Sequence, residues 1–435
     1  MTAIEKQENS VYHKRRHSAR TTDEYLFHQL VPYLGNKRRL LHLILEALEL
    51  TGTINHRRRK NPPIFVDFFA GSGVVSRFAR EKGYRVIAND WEPYSQALNY
   101  AILACSQEPE FAQLGGYKQA IATLNHLPEV KGWVTHNLCP RNDDEYDPSR
   151  DRLFFKRRNG MRIDAIRQQI AIWQWQGVIN DVETSALLAP LLYAASFVSN
   201  TSGVFKSFHQ GWGGRTKTAL ERIESKLWLE PSIFCPNGDP KRLSAEMWCM
   251  DAQQLAEQMQ GFEVDVAYLD PPYNQHAYSS NYHVLNALTL WDQIDLPPPD
   301  TKGYKSGIDR AWRKERPSAY NSSKHAKEAY EALLQTINAR YIITSYSTDG
   351  NISAQDVLEA NLKRGFVQLL TQDVPRYRVS KQRQSERAKV VEFIVVTDTK
   401  AKSGPPIRQL LGQLFHYAEL NGVDTTGPST QLELW

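Results

Sequence analysis

Cysteine is scarce in this chain. Four residues (Cys105, Cys139, Cys235 and Cys249) are scattered over 435 positions with no CxxC spacing. That pattern speaks against a disulfide framework and against a zinc site, and leaves them ordinary thiols. No apolar run approaches the length needed to span a bilayer, and the opening MTAIEKQENSVYHKRRHSAR lacks the apolar segment of a secretion signal. The expectation is a protein without a membrane partner that stays in the cytoplasm. Internal repeats and low-complexity tracts are also missing. Charge of one sign is not in large excess either, since 53 Lys and Arg stand against 48 Asp and Glu.

A composition 41% hydrophobic, with 20 Tyr and 16 Phe, describes a folded globular protein with a substantial core. The basic residues cluster in HKRRHSAR (13–20), HRRRK (56–60), FKRRNGMR (155–162) and RYRVSKQRQSERAK (376–389). One such run is normally a solvated loop. Four along one chain point to a polyanion, because Lys and Arg displace counterions from phosphates.

Residues 1–24 read as a polar, basic arm. From 25 to 105 the order is helix, strand, loop, helix, strand: a helix beginning near Asn36 with Leu40, Leu41, Ile44, Leu45 and Leu48 on one face, then PPIFVD, then VVSRFAREKG closed by Gly83, then YRVIAND. Such an order makes a parallel sheet with helical crossovers. Residues 106–244 differ, with two apolar-faced helices (MRIDAIRQQIAIWQWQG and DVETSALLAPLLYAASFVS) and a Gly-, Ser- and Lys/Arg-containing loop, NTSGVFKSFHQGWGGRTKT. Strand-type runs return in 245–400 as VDVAYLD, RYIITSYS and KVVEFIVVTD, and 401–435 holds a final helix and a tail. The expected class is α/β: one discontinuous sheet domain, 25–105 plus 245–400, interrupted by a largely helical insertion.

Two stretches carry chemistry. In VDFFAGSGVV, Gly71 and Gly73 follow a strand and precede a helix, a turn in which absent side chains let the backbone approach a ligand. Asp90 follows Gly71 by 19 residues at the end of the next strand, where a carboxylate can accept ribose hydroxyls. Ser76 stands where a dinucleotide site has its third glycine, which favours a nucleoside cofactor over one with a pyrophosphate. In VDVAYLDPPYNQHAYSSNYH, a core strand stops at Asp270, Pro271, Pro272 and Tyr273. Asp270 and the proline carbonyls only accept hydrogen bonds, and Tyr273 offers a flat stacking face. Together they suit an exocyclic amino group on an aromatic base, whose lone pair is freed for attack when both its hydrogens are held.

The pieces VPYLGNKRRLL, VDFFAGSGVVSRFA, VIANDWEPY, WCMDAQQL, VDVAYLDPPYNQHAYSSNYHVLNAL and RYIITSYSTDG, in that order over roughly residues 25 to 400, resemble the S-adenosylmethionine-dependent DNA adenine-N6 methyltransferases whose motifs run PYxGNK, FxGxG, insertion, DPPY. The insertion, with NGMRIDAIRQQIAIW and SNTSGVFKSF, looks like one branch of restriction-modification methylases. The resemblance implies a Rossmann-like methyltransferase sheet, mostly parallel, an S-adenosyl-L-methionine cofactor, duplex DNA as substrate, and a cognate endonuclease encoded nearby. It implies that Tyr33 and Lys37 contact the methionine part of the cofactor, and that Asp67, Gly71 and Gly73 form its loop. Asp90 takes the ribose with Glu92 as helper, Asp251 lies near the adenine ring, and Asp270 borders cofactor and target base alike. Asn281, Tyr282 and His283 fall beside the flipped base. In the insertion, which occupies the target-recognition position, Lys206, His209, Arg215 and Lys217 are the candidates for DNA contact.

Other readings fit less well. A cytosine-C5 enzyme needs a nucleophilic cysteine, usually after proline; Cys139 precedes its proline and Cys235 follows Phe234. Cytosine-N4 or protein-amide methylation would carry Ser-Pro-Pro or Asn-Pro-Pro. A nicotinamide dehydrogenase gives Asp270 to Tyr273 no role. An RNA adenine-N6 methyltransferase and a DNA-binding module with a dead active site remain as alternatives.

Overall fold

Segments of Val, Ile, Tyr and Phe bounded by turn residues make the sheet. A computed structural model describes residues 22–54, 61–235, 244–375, 389–401 and 404–423. Among them, β1 (Ile64–Asp67), β2 (Arg85–Asn89), β3 (Ala245–Trp248), β4 (Val264–Leu269), β5 (Ala339–Ser347), β6 (Phe366–Pro375) and β7 (Lys389–Asp398) form one sheet. Its order is β3-β2-β1-β4-β5-β7-β6. Neighbours from β3 through β5 are parallel, and β7 runs antiparallel to both β5 and β6.

Both faces are covered. In β4, Ala267 and Leu269 join one apolar layer while Val266 and Tyr268 join the other. A strand buried on both sides reads as a continuous apolar run, which is why VDVAYL was legible. The N-terminal half of the sequence folds with one adjustment. Asn36 caps a short 3-10 turn, Lys37–Leu40, accepting a hydrogen bond from the Arg38 N–H, and the α-helix itself is Leu41–Leu50. The expected arm overlaps a helix, Thr22–Phe27, whose Tyr25 is buried; residues 1–21 lie outside the described part. Strands β3 and β6 had not been expected.

The described residues between 106 and 235 add no strand. Helix Arg157–Trp175 and helix Asp181–Val198 dominate, the second closed at its start by a capping box between Asn180 and Glu183. This segment does not stand apart. Leu187, Leu191 and Ala194 share one core with Leu98 and Ala101 of helix Pro93–Ala104 and with Leu285 and Leu288 of helix His283–Leu290. The layer that follows the DPPY turn is therefore continuous with the inserted helices.

Buried guanidinium groups complete this layer by pairing with backbone carbonyls, as their five donors allow. Arg162 donates to Leu227 O, Leu127 O and Asn125 O, and Arg167 to Leu288 O and Thr289 O. The run 155–162 is thus mainly internal: Arg157 also donates to Pro140 O, and only Lys156 and Arg158 are left toward solvent-side partners. The runs 13–20 and 56–60 lie outside the described residues, as does 376–388. Among described residues, no helix is long and apolar enough to cross a membrane.

Candidate active site

The chain moves outward from β1 to β2 and β3, then returns to β4 on the other side of β1. Loops leaving β1 and β4 diverge at this reversal, and ligands bind open α/β sheets in the crevice that results. Here it is a cleft of about 760 Å³ at the carboxyl ends of the strands. Phe68 and Phe69 line it after β1, Asp90, Trp91 and Glu92 after β2, Met250 and Asp251 after β3, and Asp270 and Pro272 after β4.

The loop after β1 is held from within. Asp67 accepts the Ser76 hydroxyl at 2.6 Å and the Phe69 N–H at 3.3 Å, and burial pushes its carboxyl up to about 7. Asp67 is a bracket inside the loop, and the serine in place of a third glycine is what it grips. Gly71 and Gly73 have φ of +52° and +79°. A Cβ on Gly71 would stand 2.7 Å from the Tyr33 ring, and one on Gly73 would stand 1.7 Å from Asn99 Oδ1. The glycines are required by the loop's own packing, a reason different from ligand approach.

Asp90 is tied to the same loop. Its two oxygens accept the Gly71 N–H at 2.7 Å and the Glu92 N–H at 2.9 Å, and burial raises it to about 6. Glu92 accepts from Asn286 Nδ2 through Oε2 at 2.6 Å, and burial lifts it to about 7. Asp251 caps helix Ala252–Gln258 by accepting the Gln253 N–H at 2.9 Å.

The PYLGNK turn is seated between aromatic rings. Tyr33 stacks on Tyr282 at 5.0 Å and on Tyr278 at 5.2 Å. The Leu34 N–H donates to the Tyr282 hydroxyl at 2.7 Å, and the Tyr278 hydroxyl donates to Leu34 O at 3.0 Å. Lys37 does not line the cleft. Its ammonium is 3% exposed and lies 3.1 Å from Asp270 Oδ1 and 3.2 Å from Glu392 Oε2, with the Tyr273 hydroxyl at 3.4 Å. Burial alone would lower its pKa, but the Asp270 and Glu392 carboxylates outweigh that and hold it well above the ordinary lysine value. Asp270 is pushed up to about 6, by burial first, with Lys37 opposing. Tyr273 packs edge-on against Tyr346 at 5.8 Å, and its carbonyl accepts the Asn351 N–H at 2.9 Å.

The segment after the turn is structural as well as lining. The buried His283 donates Nε2–H to Phe205 O at 2.9 Å, and burial drives its pKa down to about 4, so the ring is neutral. The Phe205 N–H donates to Asn281 O at 2.6 Å. Residues 281–283 therefore clip the inserted loop to the active-site rim. Lys206, the next residue in that loop, is exposed with Nζ 3.4 Å from His276 Nδ1, six residues past Asp270. His209 is half-buried and fixed through its backbone to Asn200, while Arg215 and Lys217 are exposed.

Several lining groups carry no motif. Arg316 donates to Trp91 O at 2.9 Å, Tyr320 meets Phe69 edge-on at 5.4 Å, and Asn321 Nδ2 donates to Asn274 O at 2.7 Å. They come from the end of a six-residue helix, Arg310–Glu315, and a 3-10 turn, Ala319–Asn321, both too short to show a periodicity. Glu392 did leave a signal: a lone carboxylate within an apolar strand.

The sequence model of the D12 class N6 adenine-specific DNA methyltransferases matches residues 33–332. The chain is 31% identical over 349 residues to the type II methyltransferase M.NlaIII of Neisseria lactamica, covering 80% of this chain and 93% of that relative. It is 28% identical over 353 residues to the type II methyltransferase M.CviAII of Paramecium bursaria Chlorella virus 1, with the same coverage, 80% and 93%. Against the type II methyltransferase M.FokI of Planomicrobium okeanokoites it is 30% identical over 330 residues, 75% of this chain but 46% of that longer relative. The matched span holds the YLGNK turn, the glycine loop, the inserted helices and the DPPY turn; the two turns and the loop after β1 are elements that line the cleft, and on these grounds the chain belongs to the family of D12 class N6 adenine-specific DNA methyltransferases.

Proposed function

We propose that the protein transfers the methyl group of S-adenosyl-L-methionine to N6 of an adenine rotated out of duplex DNA, in the cytoplasm, as the modifying partner of a cognate restriction endonuclease. One observation carries this reading: the Asp270 to Tyr273 turn and the loop after β1 share a rim, because β1 and β4 are adjacent parallel strands. A base on the turn and a methyl donor over the loop can therefore meet.

The cleft suits that cofactor. Asp90, Glu92, Asp251 and Asp270 line it against the single guanidinium of Arg316 among described lining residues, an electronegative setting for a ligand bearing a sulfonium and an ammonium. Asp90 and Glu92 would hold the ribose; since both Asp90 oxygens already accept backbone N–H groups, Glu92 Oε1 would be the better acceptor for a hydroxyl. Asp251 reads the adenine end. When bound, the cofactor would supply a methyl on positive sulfur; the N6–C bond would form as the S–C bond breaks, leaving a thioether, and the proton lost from N6 would pass to water. Asp270 and the proline carbonyls accept the amino hydrogens and turn the lone pair toward the donor. Tyr273 stacks on the base, and stacking at roughly 1–3 kcal/mol offsets much of an unpairing cost of a few kcal/mol. The inserted segment 106–244 recognises the target, with Lys206, His209, Arg215 and Lys217 at the DNA side.

Incubation with radiolabelled S-adenosylmethionine and duplex DNA, followed by modified-base sequencing, tests the proposal. Label should appear as N6-methyladenine in one sequence context, and Asp270→Ala should abolish it. Labelled RNA in place of DNA, or near-normal turnover by Asp270→Ala, would overturn it.

A further inference from the structure

We propose that Glu392 is a positioning residue for methyl transfer: it competes with Asp270 for the Lys37 ammonium, so that the ionised Asp270 is less neutralised by Lys37 and accepts the amino hydrogens of the target base more strongly. The inference rests on the reading of Asp270 given above. It adds a residue outside the matched span 33–332, from the antiparallel strand β7.

The geometry is specific. Glu392 is 7% exposed in KVVEFIVV, cross-strand from Ser347 and Gln372. A carboxylate persists in such a strand only when paired. Its partner is Lys37, whose ammonium donates hydrogen bonds to Glu392 Oε2 and the Tyr273 hydroxyl and forms an ion pair with Asp270 Oδ1 at 3.1 Å, that oxygen having no hydrogen-bond partner among the described residues. A one-to-one Lys37–Asp270 pair would neutralise itself and leave Asp270 a weak acceptor. Two carboxylates on one ammonium leave the buried group with an excess negative charge. That excess faces the place where N6 becomes positive as it takes the methyl group, which is electrostatic preorganisation. The other titratable groups acting on Asp270 or acted on by it are Asp67 and the hydroxyls of Tyr268, Tyr273, Tyr278 and Tyr346; burial raises all of them, and the tyrosines are neutral.

The test is steady-state kinetics of the full chain on duplex DNA. Glu392→Gln should lower kcat by about ten- to a hundredfold, the range of one charge-assisted hydrogen bond, with KM for DNA and cofactor little changed. Its acid limb should move to lower pH, because Glu392 raises Asp270. In a Lys37→Met background the sign should reverse. There Glu392 is an unscreened carboxylate beside Asp270, and Glu392→Gln should recover part of the lost rate. A residue that only supports the fold would lower thermal stability and activity in both backgrounds. Wild-type kcat with an unshifted acid limb, or further loss in the Lys37→Met background, overturns the inference. Full activity of Asp270→Asn would instead overturn the pocket beneath it.

Discussion

Replacing Gly73 by alanine should destabilise the protein by about 3–4 kcal/mol, in two separable parts. The backbone there has φ of +79°, and an L-residue in that region costs roughly 1–2 kcal/mol. The new Cβ would stand 1.7 Å from Asn99 Oδ1, so the Asn99 side chain must swing away. It then loses its Nδ2 bonds to Gly71 O at 3.1 Å and Ser95 O at 2.8 Å, worth roughly 1 kcal/mol each. Urea unfolding measures the total. In an Asn99→Ala background only the backbone part should remain, giving a coupling of about 2 kcal/mol between the sites. The same loop carries Phe68, Phe69 and the Gly71 N–H that orients Asp90, so KM for the cofactor should rise more than kcat falls. Strictly additive losses from Gly73→Ala and Asn99→Ala would refute the packing account of this glycine.

Tyr273→Phe should keep much of the methyl-transfer activity, whereas Tyr273→Ala should lose most of it; equal loss in both would remove stacking as the role of the ring. Lys206→Gln and Arg215→Gln should each reduce the slope of log K against log salt in DNA titrations by about one. Arg162→Gln, by contrast, should lower stability by roughly 1–3 kcal/mol for each buried carbonyl it leaves unpaired, and leave that slope alone. Asp67 is raised from 3.8 to about 7 in the folded state by burial. Its contribution to stability is therefore full below about pH 4 and is lost as pH rises through 7. Asp67→Asn should flatten that part of the wild-type profile, and an unchanged profile in chemical denaturation would exclude the assignment.

Local patterns determined a good deal. The glycine turn, the acid at the end of β2 and the Asp-Pro-Pro-Tyr stop are read from adjacent residues, because a turn's chemistry is set by its own side chains. The doubly buried strands β4, β5 and β7 are legible for a similar reason: apolar on both faces, they cannot be mistaken for surface. β3 and β6 were not, since an edge strand such as FVQLLTQDVP mixes half-buried Gln, Thr and Asp into its pattern. The basic run 155–162 misled for the converse reason, because Arg162 reads as solvated until the carbonyls it binds, 35 to 65 residues away, are brought to it.

The tertiary structure alone decided the partners. Lys37, Asp270 and Glu392 lie 355 residues apart at their extremes and meet only because β7 enters the sheet antiparallel, two strands from β4. Charge acts through space, and no spacing along the chain records it. The same holds for Asn99 beneath Gly73 and for Arg316 across the cleft: sequence supplied each residue's chemistry, and the fold chose what that chemistry acts upon.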